Sequence, residues 1–382
     1  MDVIGRLAPS PTGLLHVGNA RSLLGAWLAA RASGGKILLR IEDLLPDFAG
    51  HEEALLQDLL WLGLDWDPTP PGLGTVEPQL LSSDAGLSQW APKQNSWQRQ
   101  SLRQDVYLRI FKHLQRSGLV YPCICTRKDV EQAARAPHRD DQAVAYPGLC
   151  RGRFSHVSEA LAQEAALAAA QGRAPLGVAW RLNITALRPE FAVLPNSWLD
   201  DAVAGPQWLA PDAAGDFVLG RKDGGFAYMF AVVVDDIAAG VNQVVRGDDL
   251  LQATEQQARV YQALRQVAWQ VSEDDQDTAF WQRVRRSLLP VYGHLPLVHG
   301  DDGRRLAKRN QSIQIRAIRQ QGVRSDRLML WLTASLGLPA LPDAAAAVAH
   351  WDWSTIASTP VVFGGKELAA VMPTDGHAPA RA

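Results

Sequence analysis

The feature that most constrains this chain is the run of its first 43 residues. Residues 3–7, Val-Ile-Gly-Arg-Leu, are short and largely apolar and lead into a Pro/Gly turn, which predicts a strand. The turn, Ala8-Pro9-Ser10-Pro11-Thr12-Gly13, delivers His16 and Gly18 to the start of a helix. That helix is predicted over 19–32, with Leu23, Leu24, Trp27 and Leu28 on one stripe and Gly34-Gly35 as its stop. A second apolar strand follows over 37–41 and ends in Glu42-Asp43. Strand, helix and strand in this order build a parallel sheet. Its first turn is a place where a nucleotide phosphate can sit against backbone N–H groups and the positive end of a helix dipole. A glycine at position 18 lets the backbone approach such a ligand closely, and a histidine at a helix N-terminus can donate to a phosphate as charge develops.

The chain of 382 residues is long enough for two or three domains, and 47% hydrophobic with 20% charged residues is an ordinary globular balance. It has no apolar run of membrane-spanning length, and Met1-Asp2 leads straight into a strand, so the cytoplasm is the expected compartment. Its three cysteines all lie between Cys123 and Cys150, which argues for a metal site or reduced thiols and against a disulfide scaffold. The net charge of −2 carries no nucleic-acid signal, but residues 281–330 hold eleven Lys/Arg against three Asp. Such a stretch is a candidate phosphate-binding face.

Further along, a helix is predicted over 52–62. Residues 67–96, broken by Pro68, Pro70, Pro71, Gly72, Gly74, Pro78 and Pro92, read as a long loop or insertion. Helices are predicted over 101–117, 158–170 and 254–267, and strands over 177–182 and 217–219. Arg221 to Gly225 reads as a hairpin turn. Residues 226–234 are strongly apolar and end at Asp235-Asp236, Val244-Val245 leads into Arg246-Gly247-Asp248-Asp249, and 266–286 reads as a second, polar insertion. Past Pro339 helical and packing signals are weak.

At these residues the chain resembles the class I glutamyl-tRNA synthetases. His16-Val17-Gly18-Asn19 stands where that family has its HIGH signature, with Asn19 in place of the second histidine, and Arg6 to Gly13 matches the glutamyl branch. Arg304-Arg305-Leu306-Ala307-Lys308-Arg309 stands where the family has its KMSKS loop, with Arg305 for the first lysine and Ala307 for the serine. The resemblance implies an α/β, Rossmann-like catalytic domain with an inserted zinc-containing subdomain and a short helical C-terminal part. Its expected divisions are 1–120 and 206–300 for the two catalytic halves, 121–205 for the insert, 301–338 for the KMSKS-like loop and helical part, and 339–382 for the tail. It implies ATP contacts at His16, Gly18, Asn19 and Lys308, with His16 and Lys308 catalytic. It also implies a glutamate pocket of Arg6, Ala8, Ser10, Glu42, Tyr228 (on a late strand) and Arg246. A guanidinium suits a carboxylate because its planar fork can bind both oxygens.

Cys123-Ile124-Cys125 and Tyr146-Pro147-Gly148-Leu149-Cys150 bring together three thiolates that suit tetrahedral zinc. On chemistry alone the fourth ligand is open, with His138 of the commoner type. The short glutamyl-synthetase-like group carries Cys-x-Cys followed by Tyr-x-x-x-Cys, which implies Tyr146 and one structural zinc.

Only 73 residues follow Arg309, too few for the helical anticodon-binding region of a full glutamyl-tRNA synthetase. In this the chain is similar to the glutamyl-queuosine tRNA(Asp) synthetase group. The resemblance implies activation of glutamate by ATP, with magnesium, and transfer to the queuosine base in the anticodon stem-loop of aspartate tRNA, by a monomer. Two other readings stay open: a shortened glutamyl-tRNA synthetase that charges the 3′ end, and a non-catalytic RNA-binding relative.

Overall fold

The structure is a computed structural model that describes residues 2–45, 51–77, 95–133, 145–210, 215–306 and 314–372. Lys308, His138 and residues 78–94 of the proposed insertion lie outside the described residues.

Strand β1 (Ile4–Leu7), helix α1 (Val17–Ala32) and strand β2 (Lys36–Ile41) form the expected unit, and β2 pairs parallel to β1 with Leu7 opposite Leu39. The helix ends in a Schellman motif: Gly34 takes φ +65°, and the N–H groups of Gly34 and Gly35 bond Arg31 O and Ala30 O at 2.9 Å. Rather than burying one stripe, α1 is buried on all sides, from Val17 and Ala20 through Leu24, Leu28 and Ala30. Sheet strands cover one side of it and C-terminal helices the other. A Cβ at Gly25 would fall 2.6 Å from Leu295 Cδ1, so a larger residue here would force the Leu295 side chain to shift. Helix α2 (His51–Trp61) packs Leu55, Leu56, Leu59 and Leu60 into the same core. Strands β3 (Thr75–Val76) and β4 (Trp97–Arg99) extend the sheet to the order β1-β2-β4-β3, so Thr75 and Val76 of the proposed insertion are a paired edge strand.

Helix α3 (Gln104–Arg116) leads to β5 (Val120–Cys123), α4 (Arg127–Ala133), α5 (Val157–Ala170), β6 (Ala179–Leu182), the antiparallel hairpin β7 (Trp198–Asp201) and β8 (Gly205–Trp208), and β9 (Val218–Gly220). Strands β5, β6 and β9 make a small antiparallel sheet. The turn after β9 closes with Arg221 N–H on Gly225 O at 2.8 Å.

Helix α6 (Tyr228–Ala239) corrects the expectation that Tyr228 lies on a strand: it is the first residue of a helix. The β-branched run Val232-Val233-Val234 favours a strand locally. Burial on every face, together with Gly240 at φ +71° as a left-handed cap, decides for a helix. Strand β10 (Gln243–Gly247), helices α7 (Ala253–Ala268) and α8 (Thr278–Arg286), and strand β11 (Val291–Leu295) follow, with β10 and β11 parallel. Residues 266–286 are therefore not simply a polar excursion, because Phe280, Trp281 and Val284 of α8 are buried against α6 and α7. Strand β12 (Val298–His299), helices α9 (Ile315–Gln320), α10 (Ser325–Ser335) and α11 (Ala344–Ala347), strand β13 (Val361–Val362) and helix α12 (Gly365–Val371) complete the chain. Past Pro339, where the sequence shows little, Ala344, Ala347, Ile356, Phe363 and Val371 are buried in the core around α1. Strand β13 pairs with β12, and Asp301 Oδ2 accepts the Gly365 N–H at 2.8 Å, so this segment clasps the base of the KMSKS-like region.

The two parallel halves meet where Asn242 joins β10 to β1: its Oδ1 accepts from Ile4 N–H at 2.8 Å, and its own N–H reaches Ile4 O at 3.0 Å. From β1 the chain runs outward to β2, and from β10 it runs the other way to β11. Such a reversal leaves a crevice at the carboxyl ends of the two strands, the usual ligand position in open α/β sheets.

Candidate active site

A cavity of about 540 Å³ opens at that reversal. Arg6, Ala8, Ser10, His16, Gly18, Asn19, Glu42, Tyr228 and Arg246 all line it, together with Arg305 and Leu306 from the KMSKS-like region. The structure thus gathers nine of the ten candidate ATP and glutamate residues; the tenth, Lys308, is not described. The segments flanking it both reach this site. Leu306 lines the cavity, Ile315 N–H bonds Leu15 O at 2.8 Å, and Arg305 Nη1 donates to Asp249 Oδ2 at 3.0 Å.

One end of the cavity is the N-terminus of α1. His16 caps the helix, its Nδ1 accepting the Asn19 N–H at 3.2 Å, while the Asn19 side-chain oxygen accepts the His16 N–H at 3.4 Å. Because Nδ1 accepts, the proton of the neutral ring is on Nε2. A Cβ at Gly18 would sit 3.0 Å from the imidazole, so glycine leaves room for the ring to stay at the cap.

The other end is a buried charge cluster. Arg40 bridges Asp236 (2.6 Å) and Glu42 (3.2 Å), Arg6 Nη1 donates to Val245 O at 3.2 Å, and Ser10 Oγ donates to Glu42 at 3.4 Å. Burial lowers the Arg6 pKa and raises that of Glu42, in each case partly opposed by the neighbouring opposite charges. Tyr228 is pushed up to about 12 by burial and by Glu42, so its hydroxyl stays protonated. Arg6, Arg40 and Arg246 face Glu42 and Asp236, which leaves this cluster with an excess of positive charge suited to an anion. Arg246 is held by His294 Nε2 (3.0 Å), Gln257 Oε1 (3.0 Å), Thr254 Oγ1 (2.8 Å) and Leu250 O (3.2 Å). Sequence reasoning missed His294 and Asp201 behind it. The available signal was a histidine inside the otherwise apolar strand β11.

Away from the cavity, Cys123, Cys125 and Cys150 place their sulfurs within 4.8 Å of one another. The Tyr146 hydroxyl lies 3.3 Å from Cys123 Sγ and 3.4 Å from Cys125 Sγ. Sulfurs around a tetrahedral zinc lie about 3.8 Å apart, which follows from Zn–S distances of about 2.3 Å, and Cys125 and Cys150 are separated by 3.5 Å. Hydrogen bonds from Cys123 and Cys125 draw the Cys150 thiol well below the ordinary thiol range. Arg181 supports negative charge here, its Nε 3.3 Å from Cys123 Sγ and its guanidinium 3.7 Å over the Tyr146 ring. Donor set and spacing fit a thiophilic cation.

The family described as tRNA synthetases class I (E and Q), catalytic domain, matches residues 2–275. A glutamyl-Q tRNA(Asp) synthetase of Nitratidesulfovibrio vulgaris is 40% identical over 342 residues, covering 89% of this chain and 87% of that protein. One of Symbiobacterium thermophilum is 36% identical, covering 96% and 98%. Glutamate–tRNA ligase 2 of Syntrophus aciditrophicus is 35% identical and covers 86% of this chain but 56% of the ligase. In fold, the chain matches a crystal structure of a glutamate tRNA ligase from Elizabethkingia meningosepticum at TM-score 0.65 and 21% identity, covering 96% of this chain and 68% of that one. No described helix is long and apolar enough to cross a membrane. A crevice at the sheet reversal, closed by the capped α1 and the buried arginines, thus coincides with a family match over most of the chain, and the protein is an enzyme belonging to the class I tRNA synthetases of the E and Q type.

Proposed function

We propose that the cavity binds ATP against the α1 N-terminus and L-glutamate against Arg6 and Arg246, and that the enzyme transfers glutamate to the queuosine base of aspartate tRNA. The observation that carries this reading is the meeting, in one cavity, of the His16 imidazole at the α1 cap and a buried cluster of arginines. The glutamate α-carboxylate attacks the α-phosphate of ATP, pyrophosphate leaves and glutamyl-adenylate forms. A hydroxyl of the queuosine cyclopentene ring then attacks the adenylate carbonyl, and AMP leaves. The side-chain carboxylate of glutamate fits the arginines, and its ammonium fits Glu42 and the Tyr228 hydroxyl. His16 Nε2–H and Lys308 offer donors to charge that grows in the transition state, where such contacts count most for rate. Magnesium accompanies the nucleotide and neutralises phosphate charge. Cys123, Cys125, Cys150 and Tyr146 hold one zinc, whose role is to tie the loop after β5 to that strand.

Likeness to glutamyl-Q tRNA(Asp) synthetases, 40% and 36% identical to this chain, supports base modification over 3′-end charging. The match spans 87% and 98% of two glutamyl-Q tRNA(Asp) synthetases but 56% of a glutamate–tRNA ligase. The test is transfer of labelled glutamate to three purified RNAs: aspartate tRNA with queuosine, the same tRNA without it, and glutamate tRNA. Labelling of the first alone is expected. Labelling of glutamate tRNA alone makes this a minimal charging enzyme.

A further inference from the structure

We propose that Asp201 and His294 are positioning residues for Arg246, forming a relay in which the carboxylate sets the imidazole tautomer and the imidazole in turn orients the guanidinium toward the substrate carboxylate. The functional half of this inference rests on the glutamate-site reading above.

Asp201 ends strand β7, His294 lies in β11, and both side chains are wholly buried. Asp201 Oδ1 accepts three backbone N–H groups, from His294 (3.0 Å), Val203 (3.0 Å) and Ala204 (2.8 Å). Its Oδ2 lies 2.5 Å from His294 Nδ1. The hydrogen bonds from His294 and from the backbone hold Asp201 below its ordinary pKa against the effect of burial, so it is a carboxylate, an acceptor only. Nδ1 must therefore carry the proton. Burial also keeps the imidazole neutral, its pKa lowered, which leaves a bare lone pair on Nε2. That lone pair faces Arg246 Nε at 3.0 Å.

The rest of the guanidinium is engaged by Gln257, Thr254 and Leu250, and its carbon stands 5.2 Å from the centroid of Tyr292, whose ring stacks on His294 at 5.7 Å and 7°. Four of the five Arg246 N–H groups thus have partners among the described residues, and one N–H on Nη1 is left for the cavity that Arg246 lines. A guanidinium fixed in this way binds a carboxylate without having to be ordered first.

The relay makes an isosteric substitution informative. In Asp201→Asn the three backbone donors keep the amide oxygen, so the amide NH₂ turns toward His294 Nδ1. Nδ1 must then accept, the proton moves to Nε2, and an N–H there opposes the N–H of Arg246 Nε. The structure loses no volume, but Arg246 is pushed from its place.

Two measurements decide the matter. Histidine-selective ¹⁵N spectra of the full-length protein, with the His294 signal assigned by its loss in His294→Gln, are expected to show Nδ1–H in the parent and Nε2–H in Asp201→Asn. In glutamate-dependent ATP–pyrophosphate exchange, Asp201→Asn is expected to raise the glutamate KM on the order of tenfold, the scale of one lost charge-assisted hydrogen bond, with kcat little changed. His294→Gln, which keeps an acceptor for Arg246, is expected to stay within about threefold of the parent KM, a change worth less than 1 kcal/mol. An Nε2–H tautomer in the parent, or an unchanged glutamate KM in Asp201→Asn, overturns the relay. If the parent shows no glutamate-dependent exchange, the glutamate-site reading falls, while the spectra still decide the tautomer.

Discussion

His16 and Asn19 hold one another: the imidazole Nδ1 accepts the Asn19 N–H at 3.2 Å, and the Asn19 side-chain oxygen accepts the His16 N–H at 3.4 Å. Where the resembling family has a second histidine, this chain has a residue that closes a reciprocal cap. Asn19→Ala removes the return bond to the His16 backbone N–H and a side chain that lines the cavity, while the imidazole keeps the backbone N–H of residue 19. The expected outcome is a loss of about 1 kcal/mol of stability, the usual scale of a helix cap, with a clear fall in pyrophosphate exchange. Unchanged exchange in a destabilised variant would separate the cap from the chemistry.

Lys308 follows Leu306, which lines the cavity, by two residues. Lys308→Ala is expected to abolish ATP–pyrophosphate exchange while leaving circular dichroism and the thermal transition as they are. Exchange that survives the substitution rejects the KMSKS-like assignment.

The thiol cluster predicts about one zinc per chain by elemental analysis. Cys150→Ser is expected to lose the metal and to lower the melting temperature, and a chelator should do the same to the parent. A parent protein purified without zinc, and indifferent to added zinc, would leave two buried thiols and the half-buried Cys125 as simple packing residues.

Asp58 supplies a pH dependence. It is fully buried in α2, neither of its oxygens accepts a hydrogen bond among the described residues, and Arg319 of α9 stands 3.9 Å away. Burial pushes its pKa up from 3.8 to about 7, partly opposed by Arg319 and Arg316. The folded state therefore holds this proton more tightly than the unfolded state. Its contribution to stability is complete below the unfolded pKa and declines as pH rises from 3.8 to about 7. Asp58→Asn should change little at pH 4 and stabilise at pH 8, by on the order of 2 kcal/mol. Urea melts at the two pH values check this, and an equal effect at both would place the cost elsewhere.

Much of the nucleotide-facing half was legible because its determinants are local. The apolar run before Pro9, the glycine stop at Gly34-Gly35 and the position of His16 each act within a few residues of the chain, and β1, α1 and β2 follow from them. The cysteine spacing likewise foretold a cluster, since Tyr146 and Cys150 belong to one short loop.

Tertiary structure decided what depends on burial and on contacts far apart in sequence. Tyr228 opens a helix because the Val232-Val233-Val234 run is buried on every face, a condition no local propensity contains. The weakly patterned residues past Pro339 pack because α1 offers a second apolar side to cover. The grip on Arg246 joins Asp201, Thr254 and His294, separated by as many as 93 residues along the chain. Sequence patterning sets which segments can be strands and helices, whereas the partners of a buried polar group exist only once the sheet has brought β7, β10 and β11 together.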